Sequence, residues 1–150
     1  MFFQIEKVRD VREEVHPLLE MHWEQIALNK DKIKLNPDWE QAEKLCDEGR
    51  LKIFTARKDG NLVGYFAVIV GTSLHYKDHK FANCDVIYVH PEHRTGMTGY
   101  KLIKVAEDYL KKSGVSLINI NTKVHTPFDK LMVKMGYNLI ERLYSKYIGE

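Results

Sequence analysis

The stretch VHPEHRTGMTGYKLIK, residues 89–104, joins the end of an apolar run to the start of an amphipathic segment. Pro91 cannot donate a hydrogen bond to a neighbouring strand, so it predicts the end of a β-strand. Gly96 and Gly99 then precede apolar residues at helical spacing. Because the first turn of a helix offers unsatisfied backbone N–H groups and the positive end of the helix dipole, such an entry suits a phosphate group. The stretch therefore predicts a strand, a turn and a helix, and the start of this helix is suited to an anion.

Two nucleotide-binding patterns do not fit the segment RTGMTG, residues 94–99. It lacks the Gly-x-x-x-x-Gly-Lys order of a P-loop, and it lacks the first glycine of a dinucleotide-binding Gly-x-Gly-x-x-Gly unit. A simpler interpretation is that Gly96 and Gly99 only permit a tight strand-to-helix turn. The segment by itself leaves both the turn and the phosphate site open.

Composition indicates one domain, residues 1–150, with an apolar content of 44% that is sufficient for a buried core. The 23 basic and 21 acidic residues leave a net charge of +2, and no run of lysines and arginines predicts a nucleic-acid partner. Cys46 and Cys84 lie far apart without a Cys-x-x-Cys pair, which is typical of reduced thiols in a cytoplasmic protein.

The N-terminus, MFFQIEKVRDVREE, reaches a charged residue after only a few apolar ones. It therefore lacks the apolar region of a signal peptide, and no run in the chain approaches the roughly 20 apolar residues of a membrane span. We expect neither export nor a membrane partner.

Hydrophobic spacing predicts the order β α α β β β α β α β, which favours an α+β sandwich with helices on both faces of the sheet. The KDGN segment predicts a tight hairpin, because Asp59 and Gly60 accept positive φ angles. The predicted strands are 2–8, 51–57, 62–71, 81–89, 117–121 and 137–148, and the HYKDHK segment, residues 75–80, is predicted as a turn. The predicted helices are 11–26, 38–49, 102–114 and 128–135.

The run IYVHPEHRTGMTGYKLI resembles the acyl-CoA pyrophosphate loop of the GNAT acetyltransferases, which is an apolar strand, Val-x-Pro and then Arg-x-x-Gly-x-Gly/Ala at a helix start. Val89, Pro91, Arg94 and Gly99 match this pattern in place. The predicted order of elements is also similar to that of the family over essentially the whole chain. A second segment, DKLMVKMGY, resembles the family's Leu-Tyr-x-Lys-x-Gly-Phe segment at residues 131, 134, 136 and 137.

The resemblance implies a GNAT-like α+β fold with a mostly antiparallel, twisted sheet of about six to seven strands. It implies transfer of an acetyl group from acetyl-CoA to a primary amine by direct attack, without a metal. Small bacterial and bacteriophage-encoded members are similar in size, and their acceptors are metabolites or proteins. The acceptor amine stays unidentified here, and a homodimer is left open.

The resemblance also implies which residues contact acetyl-CoA. Backbone groups of the strand carry over to Ile87, Tyr88 and Val89. The loop and helix start carry over to Arg94, Thr95, Gly96, Met97, Thr98, Gly99 and Tyr100, with Asn121 from the next strand. The chain departs from the family at Met97, where a central glycine is usual and where a glycine stands one residue earlier instead.

Asp85 is the candidate general base, because a lysine-type amine with a pKa near 10.4 is neutral in only about one molecule in a few thousand at pH 7. Its alternative role is a solvated strand carboxylate. The family often has a tyrosine acid where this chain has Met132, and Tyr88, Tyr100 or His125 are candidate substitutes. A thiol with a pKa near 8.5 is also a good leaving group without an acid.

These departures motivate an alternative function, a non-catalytic GNAT-like module that binds acyl-CoA or a protein partner. For an enzyme, the resemblance implies that His22, Glu24 and Trp39 line the acceptor pocket. Helical spacing favours a core role for the neighbouring residues Trp23 and Ile26 and a solvated face for Glu24.

Histidine pairs at residues 75 and 79 and at residues 90 and 93 invite a metal site. Both pairs fall in predicted turns, and their spacing reveals no third ligand. We therefore predict no metal.

Overall fold

The computed structural model describes residues 1–150 and contains a five-stranded sheet in the order β1-β2-β3-β4-β5. The strands are β1 Phe2–Glu6, β2 Leu51–Lys58, β3 Asn61–Ser73, β4 Tyr76–Val89 and β5 Val115–Asn119. The helices are α1 Val8–Ile26, α2 Trp39–Asp47, α3 Thr98–Lys112 and α4 Asp129–Lys134, with a 3₁₀ turn at Pro91–His93. None of these helices combines the length and the apolarity that crossing a bilayer requires.

Local signals in the sequence act where they were predicted. The Asp38 carboxylate accepts a hydrogen bond from the Gln41 amide at 2.9 Å and caps α2. Asp59 and Gly60 adopt φ angles of 52° and 83°, which turn β2 back onto β3. The hairpin and the start of α2 therefore follow from a few residues each.

Helices cover both faces of the sheet, which confirms the predicted layering. The face toward α3 and α4, called the α3 face, buries Phe54, Phe66, Leu102, Ile103 and Met132. The opposite face, called the α1 face, is covered by α1 and α2 and buries Val11, Val15, Tyr65 and Tyr88. Apolar burial on both sides accounts for the near-continuous apolar runs of β2 and β3.

A β-bulge at Asp85 changes which face of the sheet the following side chains of β4 point to. The register of β3 and β4 skips this residue, because Cys84 and Val86 pair with consecutive residues of β3. Without a bulge, Cys84 and Val86 would share one face of the sheet. Here Cys84 packs toward the α3 face and Val86 toward the α1 face.

β4 and β5 separate after a short parallel pairing. Their register runs from Lys80 opposite Val115 to Asn83 opposite Asn119 and then stops. Residues 84–89 continue β4 without a partner on that side, and we call them the open edge of β4. The other three pairings are antiparallel, so the sheet is mixed.

The predicted final strand, residues 137–148, is wrong, and the sheet has five strands instead of six to seven. After the Tyr137 amide, no backbone N–H of this segment donates to another backbone group. Leu139, Leu143 and Tyr144 are more than 80% exposed. Alternating apolar residues indicate that a segment suits a strand, but a strand forms only where a neighbouring edge pairs with it.

The predicted turn at residues 75–80 is also wrong beyond His75, because β4 begins at Tyr76. Its first residues pair with the end of β3 and are exposed on both faces, so they carry no apolar alternation. The bounds of β5 and α4 differ from the predicted ones by one or two residues.

Candidate functional site

A cavity of about 500 Å³ lies between the α1 face of the sheet and helices α1 and α2. Fourteen of its twenty lining residues are hydrophobic, which is the composition of a site for a small molecule. The apolar wall includes Leu19, Trp23, Ile26, Leu35 and Trp39. Among the other lining residues, His22 of α1 and Asp85 of β4 are polar, and Lys34, Asn36 and Asp38 come from the segment before α2; Tyr65, counted with the hydrophobic residues, adds a hydroxyl group.

Asp85 reaches this cavity because of the bulge in β4. Its side chain is open to the cavity, yet the surrounding protein displaces enough water that desolvation raises the pKa of the carboxyl group. Tyr65 lines the same cavity, and burial, followed by the charges of Tyr88 and Asp85, raises the pKa of the phenol. The Tyr65 hydroxyl is buried without a hydrogen-bond partner. A carboxylate and an unpaired hydroxyl therefore line the same cavity.

Arg94 connects β4 to α1 instead of projecting into the loop that follows. Its Nε donates to the Val89 carbonyl at 2.7 Å, and its Nη2 donates to the Gln25 side chain at 3.1 Å. The guanidinium carbon lies 5.2 Å from the Tyr88 ring centroid, and the His22 ring is 4.8 Å from the same ring. The Tyr88 hydroxyl is buried and has no hydrogen-bond partner.

His22 is a neutral group of the site near pH 7. Burial, followed by the positive charges of Arg94 and Lys123, lowers its pKa to about 4. A neutral imidazole can donate or accept a hydrogen bond in the cavity, but it adds no charge to it.

We predict that His22 makes the fold sensitive to mild acid. Its folded pKa lies below the unfolded value of 6.5, so the unfolded chain takes up the proton first as the pH falls. The free energy of unfolding should drop as the pH falls from about 6.5 to 4, by about 2 kcal/mol at pH 5 for this group alone. Urea unfolding at pH 7.5 and 5.0 measures the loss in the free energy of unfolding. His22→Asn should remove the part of this loss that is due to the histidine. An equal loss in the variant would contradict the assignment.

Alternate residues of the open edge direct their backbone N–H and C=O groups away from β3. The His90 amide donates to the Val63 carbonyl of β3 at 2.7 Å. Because backbone groups alternate along an antiparallel strand, those of Val89 and Ile87 face the open edge, whereas those of Tyr88 face β3. The Ile87 groups and the Val89 N–H therefore line this edge, while the Val89 carbonyl accepts from Arg94.

The loop before α3 presents a series of free amides. Those of Thr95, Gly96 and Met97 donate to no backbone or side-chain acceptor, and the first backbone bond of α3 runs from Lys101 to Met97 at 2.8 Å. The three amides that open α3 precede that bond and are unsatisfied by helix geometry. Gly96 has a φ of +73°, whereas Met97, the N-cap of α3, has a φ of −110°. The positive φ angle of the turn therefore falls on Gly96, which adopts it without strain. Met97 has a negative φ, so this position does not require a glycine.

The same helix start is suited electrostatically to an anion. The first turn of α3 contains no acidic residue, and Met97 makes no side-chain cap. At Gly99, a Cβ atom would lie 3.6 Å from Leu131 of α4, so a larger side chain would compete with α4 for this space. The free amides, the helix dipole and the small residues fit a diphosphate.

Other residues singled out from the sequence lie outside the cavity. His125 and Asn121 are exposed in the segment between β5 and α4. The Lys134 ammonium of α4 lies 5.8 Å from the centroid of the Tyr100 ring, which belongs to α3. Glu24 is exposed and pairs with Lys30 at 3.4 Å. Of the three acceptor-pocket candidates, the structure thus brings His22 and Trp39 to the cavity and leaves Glu24 outside.

The second sequence motif has mainly a packing role. Met132 is buried on the α3 face, and its thioether has no proton to donate. Tyr137 packs against the same core and donates from its hydroxyl to Glu107 at 2.8 Å. Neither residue lines the cavity.

One of the two histidine pairs forms a cluster with a third candidate ligand, which the histidine spacing alone did not reveal. His90, Glu92 and His93 bring ligand atoms within 4.8 Å of one another on the 3₁₀ turn, so Glu92 is a third candidate ligand. The His90 Nδ1 already accepts from the Glu92 amide at 3.2 Å. His79 instead contacts the Ser116 hydroxyl at 2.8 Å.

Tyr65 is the site residue that sequence reasoning missed. It lies in an apolar strand run, GYFAVIV, where a tyrosine looks like any core aromatic residue. Only the absence of a partner for its buried hydroxyl, next to Asp85, distinguishes it.

The profile of the acetyltransferase (GNAT) family matches residues 12–137. The chain belongs to the GNAT acetyltransferase family. A search of curated protein sequences finds no match. Solved structures, in contrast, match over nearly the whole chain. Membership of this family supports an acetyltransferase.

Three GNAT-like structures illustrate the similarity. A ribosomal-protein-alanine N-acetyltransferase from Brucella melitensis biovar Abortus 2308 is 26% identical, with a TM-score of 0.69 over 100% of this chain and 99% of that one. An aminoglycoside acetyltransferase from an uncultured soil metagenomic sample, in complex with sisomicin, is 16% identical, with a TM-score of 0.76 over 99% and 95%. A predicted acetyltransferase from Clostridium acetobutylicum, with acetyl-CoA, is 10% identical, with a TM-score of 0.70 over 98% and 96%. The latter two show the fold alone.

Proposed function

We propose that residues 1–150 form a single domain that transfers the acetyl group of acetyl-CoA to a primary amine held in the cavity. One observation carries the proposal. The bulge in β4 turns Asp85 toward the cavity where the open edge begins. An acyl donor along the edge and an amine in the cavity would therefore meet at the same residue.

In this proposal, the free amides of residues 95–97 and of the first turn of α3 bind the pyrophosphate of acetyl-CoA. The amide-containing arm of the donor hydrogen-bonds to the backbone of Ile87 and Val89 along the open edge. Arg94 acts by holding the end of β4 against α1, since its guanidinium is committed to Val89 and Gln25. Thr98 and Gly99 contribute through the backbone.

Asp85 acts as the general base. Its carboxylate takes a proton from the bound ammonium, and the neutral amine attacks the thioester carbonyl to form the C–N bond of a tetrahedral intermediate. The C–S bond then breaks and the thiolate of CoA leaves, while the nitrogen gives its second proton through water to the thiolate, so that the products are the amide and CoA thiol. A thiol pKa near 8.5 makes this departure easy without an acid, so Met132 does not prevent turnover. The Tyr88 hydroxyl, which has no hydrogen-bond partner, is a candidate donor on β4 itself.

Acetyl-CoA binding and turnover are tested separately. At 100 times its Kd, acetyl-CoA should raise the free energy of unfolding by about 2.7 kcal/mol. Release of CoA thiol in the presence of an amine panel then reports transfer. Absence of the stabilisation at any accessible concentration would refute the donor site.

A non-catalytic acyl-CoA-binding module is the second candidate, and the burial of Met132 in place of a proton donor favours it. This module would show the full stabilisation by acetyl-CoA without thiol release above the rate of buffer hydrolysis. Amine-dependent thiol release would exclude it.

A further inference from the structure

We propose that the acceptor is a small primary amine with a single positive charge on an aromatic or branched apolar body. This inference rests on the proposed function, because it names the ligand class of the same cavity. It depends on the wall of the cavity, on its charge and on one unpartnered hydroxyl.

The wall of the cavity suits an apolar body. Trp23 of α1 and Trp39 of α2 both line it, together with Leu19, Ile26 and Leu35. Such side chains cannot replace the water that hydrates a sugar or a chain of ammonium groups, so a polar acceptor would lose more on entry than it gains. Aromatic and branched groups bury apolar area against this wall.

The charge of the cavity suits one ammonium. The acids in its lining are Asp85 and Asp38, and the Asp38 carboxylate already caps α2. His22 is neutral near pH 7, and the Lys34 ammonium donates to the Lys30 carbonyl at 2.6 Å. The formal charges of Asp38 and Lys34 cancel, so the Asp85 carboxylate gives the lining one net negative charge, which compensates one ammonium.

The Tyr65 hydroxyl provides an independent observation. Tyr65 is 1% exposed and lines the cavity together with Asp85, and its hydroxyl has no hydrogen-bond partner within the chain. Buried hydroxyls are normally hydrogen-bonded. A primary ammonium carries three donors, so it can serve the carboxylate and this oxygen together. The structure thus contains acceptors for one ammonium head and an apolar surface for its body.

Intrinsic fluorescence reads out this site directly, because the only two tryptophans of the chain, Trp23 and Trp39, line the cavity. Three probe ligands separate the contribution of the apolar ring from that of the positive charge. 2-Phenylethylamine has the charge and the ring, 2-phenylethanol has the ring without the charge, and 1,4-diaminobutane has two charges without the ring. We expect saturable binding of the first, at least tenfold weaker binding of the second, and at least a hundredfold weaker binding of the third.

Asp85→Asn tests the charge without acetyl-CoA. The variant should bind 2-phenylethylamine at least tenfold more weakly while its affinity for 2-phenylethanol changes less than twofold. Asp108→Asn is the matched control, because Asp108 is an exposed acid of α3 on the opposite face and pairs with Lys104. It should leave both affinities unchanged.

The inference is overturned if the diamine or an aminoglycoside binds as tightly as 2-phenylethylamine, or if the alcohol binds as tightly as the amine. A protein acceptor is tested with an alanine-rich peptide carrying a free N-terminus, and a higher kcat/KM for the peptide than for 2-phenylethylamine also overturns the inference. Failure of acetyl-CoA to bind, with amine binding intact, refutes the proposed function alone. Transfer to other amines without binding of 2-phenylethylamine refutes the inference alone.

Discussion

We expect Asp85→Asn to lower kcat for amine acetylation about 100-fold at pH 7 while the Kd for acetyl-CoA stays within about twofold of the wild-type value. General-base catalysis contributes roughly 10²- to 10⁴-fold, and the lower end applies because an amine can also lose its proton through water. Asparagine preserves the size of the side chain and its place at the bulge. The donor contacts the open edge and the loop before α3, so its affinity should not depend on this carboxylate.

The pH profile distinguishes a base from a residue that only shapes the cavity. Burial raises the pKa of Asp85, so wild-type kcat/KM should fall with acid at a higher pH than for an ordinary carboxyl group. The variant should lack this acid limb, and its deficit should shrink as the pH approaches the pKa of the amine. Rates are measured by thiol release over a range of amine concentrations at each pH, which gives kcat and kcat/KM separately, with Asp108→Asn as the control. Unchanged turnover in Asp85→Asn would remove the base assignment.

The parts of the fold that were predictable from sequence depend on residues close together in the chain. The Asp59-Gly60 hairpin, the Asp38 cap and the strand–turn–helix at Pro91 each arise from a few neighbouring residues whose backbone preferences agree. Apolar spacing placed helices on both faces because each face of the sheet needs its own cover. The hairpin, the helix cap and the strand–turn–helix are local features, so they do not depend on how the strands pair elsewhere in the sheet.

The bulge at Asp85 was not predictable, because it results from the register between two strands and not from either strand alone. An alternating pattern places Cys84 and Val86 on one face, and only the pairing with β3 separates them. The cavity and the unpartnered Tyr65 hydroxyl depend on this same register and on the packing of α1 and α2. Asp85, His22 and Trp39 could therefore be named from the sequence, whereas the bulge and the unpartnered Tyr65 hydroxyl could not.

The start of α3 lends itself to a prediction in which stability and function change in opposite directions. We expect Met97→Asp to raise the free energy of unfolding by about 1 kcal/mol and to weaken acetyl-CoA binding about 100-fold. Met97 is the N-cap of α3 and makes no side-chain cap, so an aspartate there would face the free amides of the first turn and the positive end of the helix dipole. The same carboxylate would occupy amides that the proposal assigns to the pyrophosphate. It would also repel that group, at a cost of roughly 3 kcal/mol for like charges a few ångströms apart near a surface.

Urea unfolding without ligand measures the gain in stability, and calorimetric titration with acetyl-CoA measures the loss of affinity. Met97→Leu is the matched control, because it keeps the apolar character of an exposed side chain and should change neither quantity. Met97→Ser separates capping from charge, since a serine caps the helix without repelling a phosphate and should therefore stabilise the fold with a smaller loss of binding. If Met97→Asp is more stable and binds acetyl-CoA as tightly as the wild type, the pyrophosphate does not lie on the first turn of α3. In that case the match to the family's loop at Arg94 and Gly99 reflects the turn that connects β4 to α3, and the donor must be held elsewhere along the open edge.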